Sequence, residues 1–169
     1  MADVVLIISQ KNYQPTEFSD TKEQIENSGF TTKVASVSKN IATADGLIYK
    51  PDLAISEINP NNFKALVIIG GPGAPALLKE NTLLRLIKEF NSKNKIVAAI
   101  CFSPVILAET GILKNKKATV FPNNDLIKRL EQSGAKYTAE DVVKDGNIIT
   151  GNGPEAAEEF GKTIARALK

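Results

Sequence analysis

The sequence predicts an α/β sandwich around a mostly parallel sheet, on three observations. Short, near-continuous apolar runs rich in branched residues, such as "VVLII", "ALVII" and "KIVAAI", have the character of strands buried on both faces. Amphipathic stretches of helical period separate them. The punctuation between them (Pro, Gly, Asn, Asp) falls where helices begin and strands end.

Taken in order, "DVVLIIS" (3–9) is the first buried strand. A polar loop leads to a helix opening between Pro15 and Asp20 and closing at "NSG", with Gly29 just past its end and Phe18 and Ile25 on one buried face. "TTKVASVS" alternates like a strand, and "GLIYKPD" adds a short one with Pro51 at its edge or exit. "KALVIIGG" (64–71) is the second strongly buried strand. After "GGPGAP" one amphipathic stretch runs through "ALLKENTLLRLIKEFNSK", with Leu77, Leu78, Leu83, Leu84, Leu86, Ile87 and Phe90 on one side.

"KIVAAI" is the third buried strand, followed by a helix from Pro104 to Thr110 that stops at Gly111. "KATVF" reads as a strand and "NDLIKRLEQSG" as a helix with Leu126, Ile127 and Leu130 inward. "VVKDGNIIT" is a hairpin turning at Asp145-Gly146. A last helix spans Pro154 to Leu168, with Ala157, Phe160, Ile164 and Leu168 in register. No repeat, low-complexity tract or linker interrupts the chain, so residues 1–169 read as one domain.

Composition removes several function classes. The sequence holds one cysteine and no histidine, which excludes an intrachain disulfide framework, Cys/His zinc sites and every Ser-His or Cys-His dyad. A second identical chain has no histidine to lend. With a net charge of +2 and acids and bases interleaved, the chain has no nucleic-acid footprint, "KNKK" (114–117) being a solvated loop. No apolar run approaches membrane-spanning length. The opening "MADVVLIISQKNY" lacks a basic leader and reads as a strand, which sets the expectation of a cytoplasmic protein that keeps its thiol free.

In a parallel α/β sheet, ligands sit beyond the carboxyl ends of the strands. Three features fall there: the loop after Ser9, the "GGPGAP" turn, and Cys101. Cys101 lies between a buried strand and a helix, with small Ala99 and Ser103 two residues to either side and Pro104 opening the helix. That is the pattern of a nucleophile elbow, although a cysteine at a strand end can equally be an inert core residue. In the elbow reading, the following helix aims its N-terminus at the sulfur and stabilises a thiolate.

"GGPGAP" formally matches the dinucleotide fingerprint, but the next strand ends in Cys101 with no acid to hold a ribose. Pro72 and Pro75 also delete N–H groups. No nucleotide cofactor, and no metal, is expected. Gly70 and Gly71 suit backbone N–H groups placed near the thiol as an anion cradle. Glu17, in "NYQPTEF", is either an exposed helix-start acid or, if adjacent strands carry its loop to the elbow, a buried carboxyl of raised pKa beside the sulfur.

These residues resemble the ThiJ/PfpI superfamily, cysteine proteins related to class I glutamine amidotransferases, over nearly the whole chain. "VVLIIS" with Tyr13 and Glu17 resembles its opening strand and glutamate loop, and "LIYKPDLAISEINPNNFKALVIIGGPGA" its approach to a glycine pair. "KIVAAICFSPVILAETGILKNKKATVFP" resembles its elbow, and "VVKDGNIITGNGPEAAEEFG" its closing hairpin and helix start. The resemblance implies a single-domain, flavodoxin-like three-layer sandwich with helices on both faces of the sheet. It makes Cys101 the elbow nucleophile and Glu17 its carboxyl partner, puts Gly70, Gly71, Phe102 and Ser103 around the pocket, and suggests a homodimer.

The departures from that pattern matter as much. Where the protease branch carries His after the nucleophile, this chain has Phe102. Where other branches carry His before a proline, it has Phe121. Where many relatives have Arg in an R-G-P turn, it has Asn152. Proteolysis loses its general acid. Three expectations follow: a redox-responsive cysteine meeting an oxidant, with its oxidised form held by Glu17; a Glu/Cys enzyme acting on a small electrophile such as an α-oxoaldehyde, or a residual hydrolase; or a non-catalytic binding scaffold.

Overall fold

The computed structural model describes residues 2–169. Its centre is a seven-stranded sheet built from β1 (Val4–Ile7), β2 (Thr32–Ser36), β5 (Leu53–Ala54), β6 (Ala65–Ile68), β7 (Ile96–Ile100), β10 (Val142–Asp145) and β11 (Ile148–Gly151). The order is β10-β11-β7-β6-β1-β2-β5, and only β10 runs antiparallel. Leaving out the two edges, the order of appearance along the sheet is 2-1-3-4-5, that of flavodoxin-like folds.

Alternate residues of each strand serve two cores. Val4, Leu6 and Ile8 face helices α1 (Pro15–Asn27) and α5 (Ala157–Leu168), meeting Phe18, Ile25, Phe160 and Ile164. Val5 and Ile7 face the opposite layer, α2 (Asn81–Ser92), α3 (Pro104–Glu109) and α4 (Asn124–Gln132), where Leu83, Phe90, Val105 and Leu130 are buried. Burial on both faces is why these strands are apolar at every position rather than at every second one. Gly161 lets α1 and α5 close up: a Cβ there would sit 3.0 Å from the Thr21 carbonyl oxygen. No helix among the described residues is long and apolar enough to cross a membrane.

Three elements differ from the sequence reading. "GLIYKPD" contributes β4 (Leu47–Tyr49), which pairs with β3 (Ala42–Ala44) in a separate hairpin turning at Asp45-Gly46; β5, beyond Pro51, takes the sheet edge instead. The long amphipathic stretch breaks at Glu80 into a 3₁₀ segment, Ala74–Lys79, and α2. "KATVF" is strand only at β8 (Lys117–Ala118), paired in parallel with β9 (Lys136–Tyr137) outside the main sheet. Beyond Ala118 the backbone leaves the ladder, because Thr119 N–H donates to Thr150 Oγ1 and Phe121 N–H to the Cys101 carbonyl. The hairpin at residues 142–151 and the helix stops at Gly29 and Gly111 follow the sequence reading.

Candidate functional site

The carboxyl ends of β1, β6 and β7 are neighbours in the sheet, and β1/β6 is where the chain reverses its direction of winding. Glu17 follows β1, Gly70 and Gly71 follow β6, and Cys101 follows β7. The topology therefore gathers into one crevice the three loops that the sequence separates.

Cys101 has φ +65, left-handed backbone that a non-glycine residue adopts only when its surroundings impose it. The restraints are explicit. Its N–H donates to the Gly151 carbonyl at 2.9 Å, and its own carbonyl accepts from Phe121 N–H at 2.9 Å. Ser103 N–H closes the turn onto Ile100 O at 3.1 Å, and its buried hydroxyl donates to Ile69 O at 2.9 Å. The residue just past β6, strand β11 and the segment after β8 thus all hold the elbow, and Cys101 is half-buried at its apex.

Glu17 is the third residue of α1 and fully buried. Its Oε1 accepts from Gly70 N–H at 3.0 Å, Oε2 is buried with no hydrogen-bond partner, and the Cys101 thiol lies close enough to the carboxyl to lower its proton affinity. Burial pushes Glu17 up to about 7, partly opposed by the Gly70 N–H and the contact with Cys101. Burial likewise pushes the Cys101 thiol up, and the charge of Glu17 and the hydrogen bond to it add to this. Together they outweigh the N–H groups of Phe102 and Gly71, which face the sulfur, and bring the thiol to about 12. The two groups titrate as a pair: both are protonated below about 7, and one proton is held between them from there up to about 12.

This corrects the thiolate expected from the elbow pattern. Helix α3 is only six residues long, and with Glu17 ionised its end does not offset burial and a carboxylate together. The proton therefore rests chiefly on sulfur, with a carboxylate beside it whose affinity near neutrality suits it to accept that proton.

The remaining expected residues divide. Gly71 and Phe102 turn N–H groups to the sulfur, whereas the Gly70 N–H is committed to Glu17 and is not free to cradle an anion. Ser103 directs its hydroxyl into the core, away from the pocket. Phe121 and Asn152 meet in an adjoining cavity of about 410 Å³, with Pro122, Asp141, Gly153, Pro154 and Glu155, while Cys101 is not among its lining residues. Asn152 is held there by Asp141, whose carbonyl accepts its N–H at 3.0 Å.

The sequence reading did not single out Gln14, whose Oε1 accepts from Glu17 N–H at 2.7 Å. The signal was present in "QPTE", a polar residue, then proline, then an acid at the third helical position.

The DJ-1/PfpI family model matches residues 3–167 of the sequence. The chain belongs to the DJ-1/PfpI family. Protein MJ0967 of Methanocaldococcus jannaschii, itself uncharacterized, is 39% identical over 177 residues, covering 99% of this chain and 83% of its own. A ThiJ/PfpI domain protein from Brachyspira murdochii superposes with a TM-score of 0.93 at 30% identity, covering 98% of this chain and 95% of that one. Drosophila melanogaster DJ-1beta superposes with a TM-score of 0.89 at 27% identity, covering 99% and 91%. The DJ-1/PfpI fold and its flavodoxin-like layering thus hold over the whole domain, with phenylalanine at residues 102 and 121.

Proposed function

We propose that the protein is an oxidation-responsive member of the DJ-1/PfpI family in which Cys101 takes up oxygen from a peroxide and Glu17 manages the proton. One observation carries this reading. Glu17 is a buried carboxyl poised near neutrality beside the Cys101 thiol, its second oxygen without a hydrogen-bond partner, in a chain with no histidine to do the same work. In the first step the sulfur attacks a peroxide oxygen. The O–O bond breaks, Glu17 takes the thiol proton, and the departing hydroxide collects it as water, leaving the sulfenic acid.

A second peroxide gives the sulfinic state and another water. The sulfinic proton passes to Glu17, so a neutral carboxyl replaces a carboxylate and donates through Oε2 to a sulfinate oxygen. One negative charge is present before and after, moved from carboxylate to sulfinate. A reducing compartment such as the cytoplasm suits this chemistry because it keeps the unreacted thiol free; the sulfenic state is reversible there and the sulfinic state is not.

The Glu/Cys enzyme acting on an α-oxoaldehyde has less support, because the two N–H groups suited to an oxyanion already face Sγ and the adjoining cavity is not lined by Cys101. The test is intact-mass analysis after mild peroxide treatment. The expected product is a two-oxygen adduct on Cys101 that is lost or held at one oxygen in Glu17→Gln; an adduct indifferent to that substitution rules the reading out.

A further inference from the structure

Helix α1 begins on an unusual cap. Ser, Thr, Asp and Asn are the side chains that ordinarily accept from the free N–H groups of a first turn, and glutamine, one bond longer and freer, is not among them. Gln14 nevertheless occupies this position, half-buried, and its Oε1 takes the N–H of Glu17 at 2.7 Å. The Gln14 backbone N–H donates to Gly70 O at 3.0 Å, and Gly70 N–H donates to Glu17 Oε1 at 3.0 Å. The three bonds close on themselves: Gln14 to Gly70, Gly70 to Glu17, Glu17 to Gln14.

We propose that Gln14 is a positioning residue, closing a cyclic hydrogen-bond circuit that holds the Glu17 carboxyl in the crevice, dry and aimed at Cys101. This rests on the reading of Glu17 and Cys101 as a working pair. The chemistry of the amide explains its choice. An aspartate cap would give the same acceptor but add a second negative charge close to a buried carboxyl, and the amide supplies the acceptor with no charge.

The circuit is braced by its neighbour, since Gly73 N–H donates to Asn12 O at 2.9 Å and a Cβ on Gly71 would lie 2.5 Å from Gln14 N. Loops 11–14 and 70–73 are therefore fixed as a unit, and the same unit carries the Gly71 N–H that faces the sulfur. Without the Gln14 acceptor, the buried Glu17 N–H is left to its own carboxylate or to an entering water. Either favours the ionised form, so the midpoint of Glu17 falls.

The experiment is a ¹³C titration of the full chain labelled at glutamate Cδ, with the Glu17 resonance assigned by its absence in Glu17→Gln, alongside thermal melting. The expected wild-type midpoint is about 7. Gln14→Met, which keeps length and loses the acceptor, shifts the midpoint down by about one unit or more, and Gln14→Ser, which restores an acceptor, brings most of the shift back. If the thioether prevents folding, Gln14→Ala takes its place.

A lower melting temperature with an unmoved midpoint means that Gln14 is only a helix cap and overturns the proposal, as does a shift in Gln14→Ser equal to that in Gln14→Met. The readout is independent of oxidation. Shifts of the expected size in a chain whose Cys101 takes up no oxygen uphold the circuit and discard the oxidation reading alone.

Discussion

Gly70 gives its N–H to Glu17 at 3.0 Å while its Cα lies so close to the elbow that an added Cβ would stand 2.6 Å from Cys101 Cβ. The same carbon would be 2.7 Å from Ile100 O and 2.8 Å from Glu17 Oε1. Two of these three neighbours are backbone or near-backbone and cannot swing aside. Gly70→Ala is therefore expected to destabilise the fold by about 1–3 kcal/mol, read from urea midpoints, and to part Glu17 from the sulfur. A fully stable Gly70→Ala would mean that the crevice is looser than its geometry.

The raised pKa of Glu17 makes stability fall as pH rises. In the unfolded chain the carboxyl titrates at its ordinary 4.5, and in the folded chain at about 7, so the folded state binds the proton more tightly. The contribution is fully present below 4.5 and is lost as pH climbs through about 7. Between pH 4 and pH 8 it amounts to about 3 kcal/mol. Denaturant midpoints of wild type and Glu17→Gln, compared across that window, are expected to converge at the acid end and separate at the alkaline end, the variant being the more stable. Parallel curves would contradict a buried, titrating Glu17.

Alkylation and oxidation are expected to part company in Glu17→Gln. Removing the carboxylate takes away a charge that holds the thiol protonated, so the Cys101 alkylation profile with iodoacetamide moves to lower pH from its position near 12. Oxidation loses its proton acceptor and the donor to the sulfinate, and slows by about a hundredfold or more. Faster alkylation with slower oxidation is the signature. Both rates moving in the same direction would refute the assigned roles.

Ser103→Ala removes the bond to Ile69 O without touching the thiol. A loss of about 1–2 kcal/mol is expected in urea unfolding, with the alkylation profile of Cys101 shifted little. A large change in that profile would instead make Ser103 part of the pocket.

Much of this was legible in the residues. The doubly buried strands announce themselves through unbroken apolar runs, and the parallel sheet they imply leaves Glu17 either an exposed helix-start acid or a neighbour of Cys101, a choice that only the resemblance to the ThiJ/PfpI superfamily favoured. What escaped was set by tertiary contacts. The residues after Ala118 have strand propensity, yet Phe121 spends its N–H on the Cys101 carbonyl, an acceptor whose place only the elbow determines. The β3–β4 hairpin carried its Asp-Gly signal in "ATADGLIY", but its independence from the main sheet depends on β5 pairing with β2 instead. The thiol's proton affinity was misjudged because a short helix end is visible in sequence and the depth of burial is not.

The Cys101 N–H donates to Gly151, at the end of the last strand to enter the sheet. The last hairpin of the chain is therefore part of what fixes the backbone at the elbow, although it lies far along the sequence from Cys101. A chain ending before residue 148 would lack the acceptor for the Cys101 N–H, and the elbow would lose one of its backbone restraints.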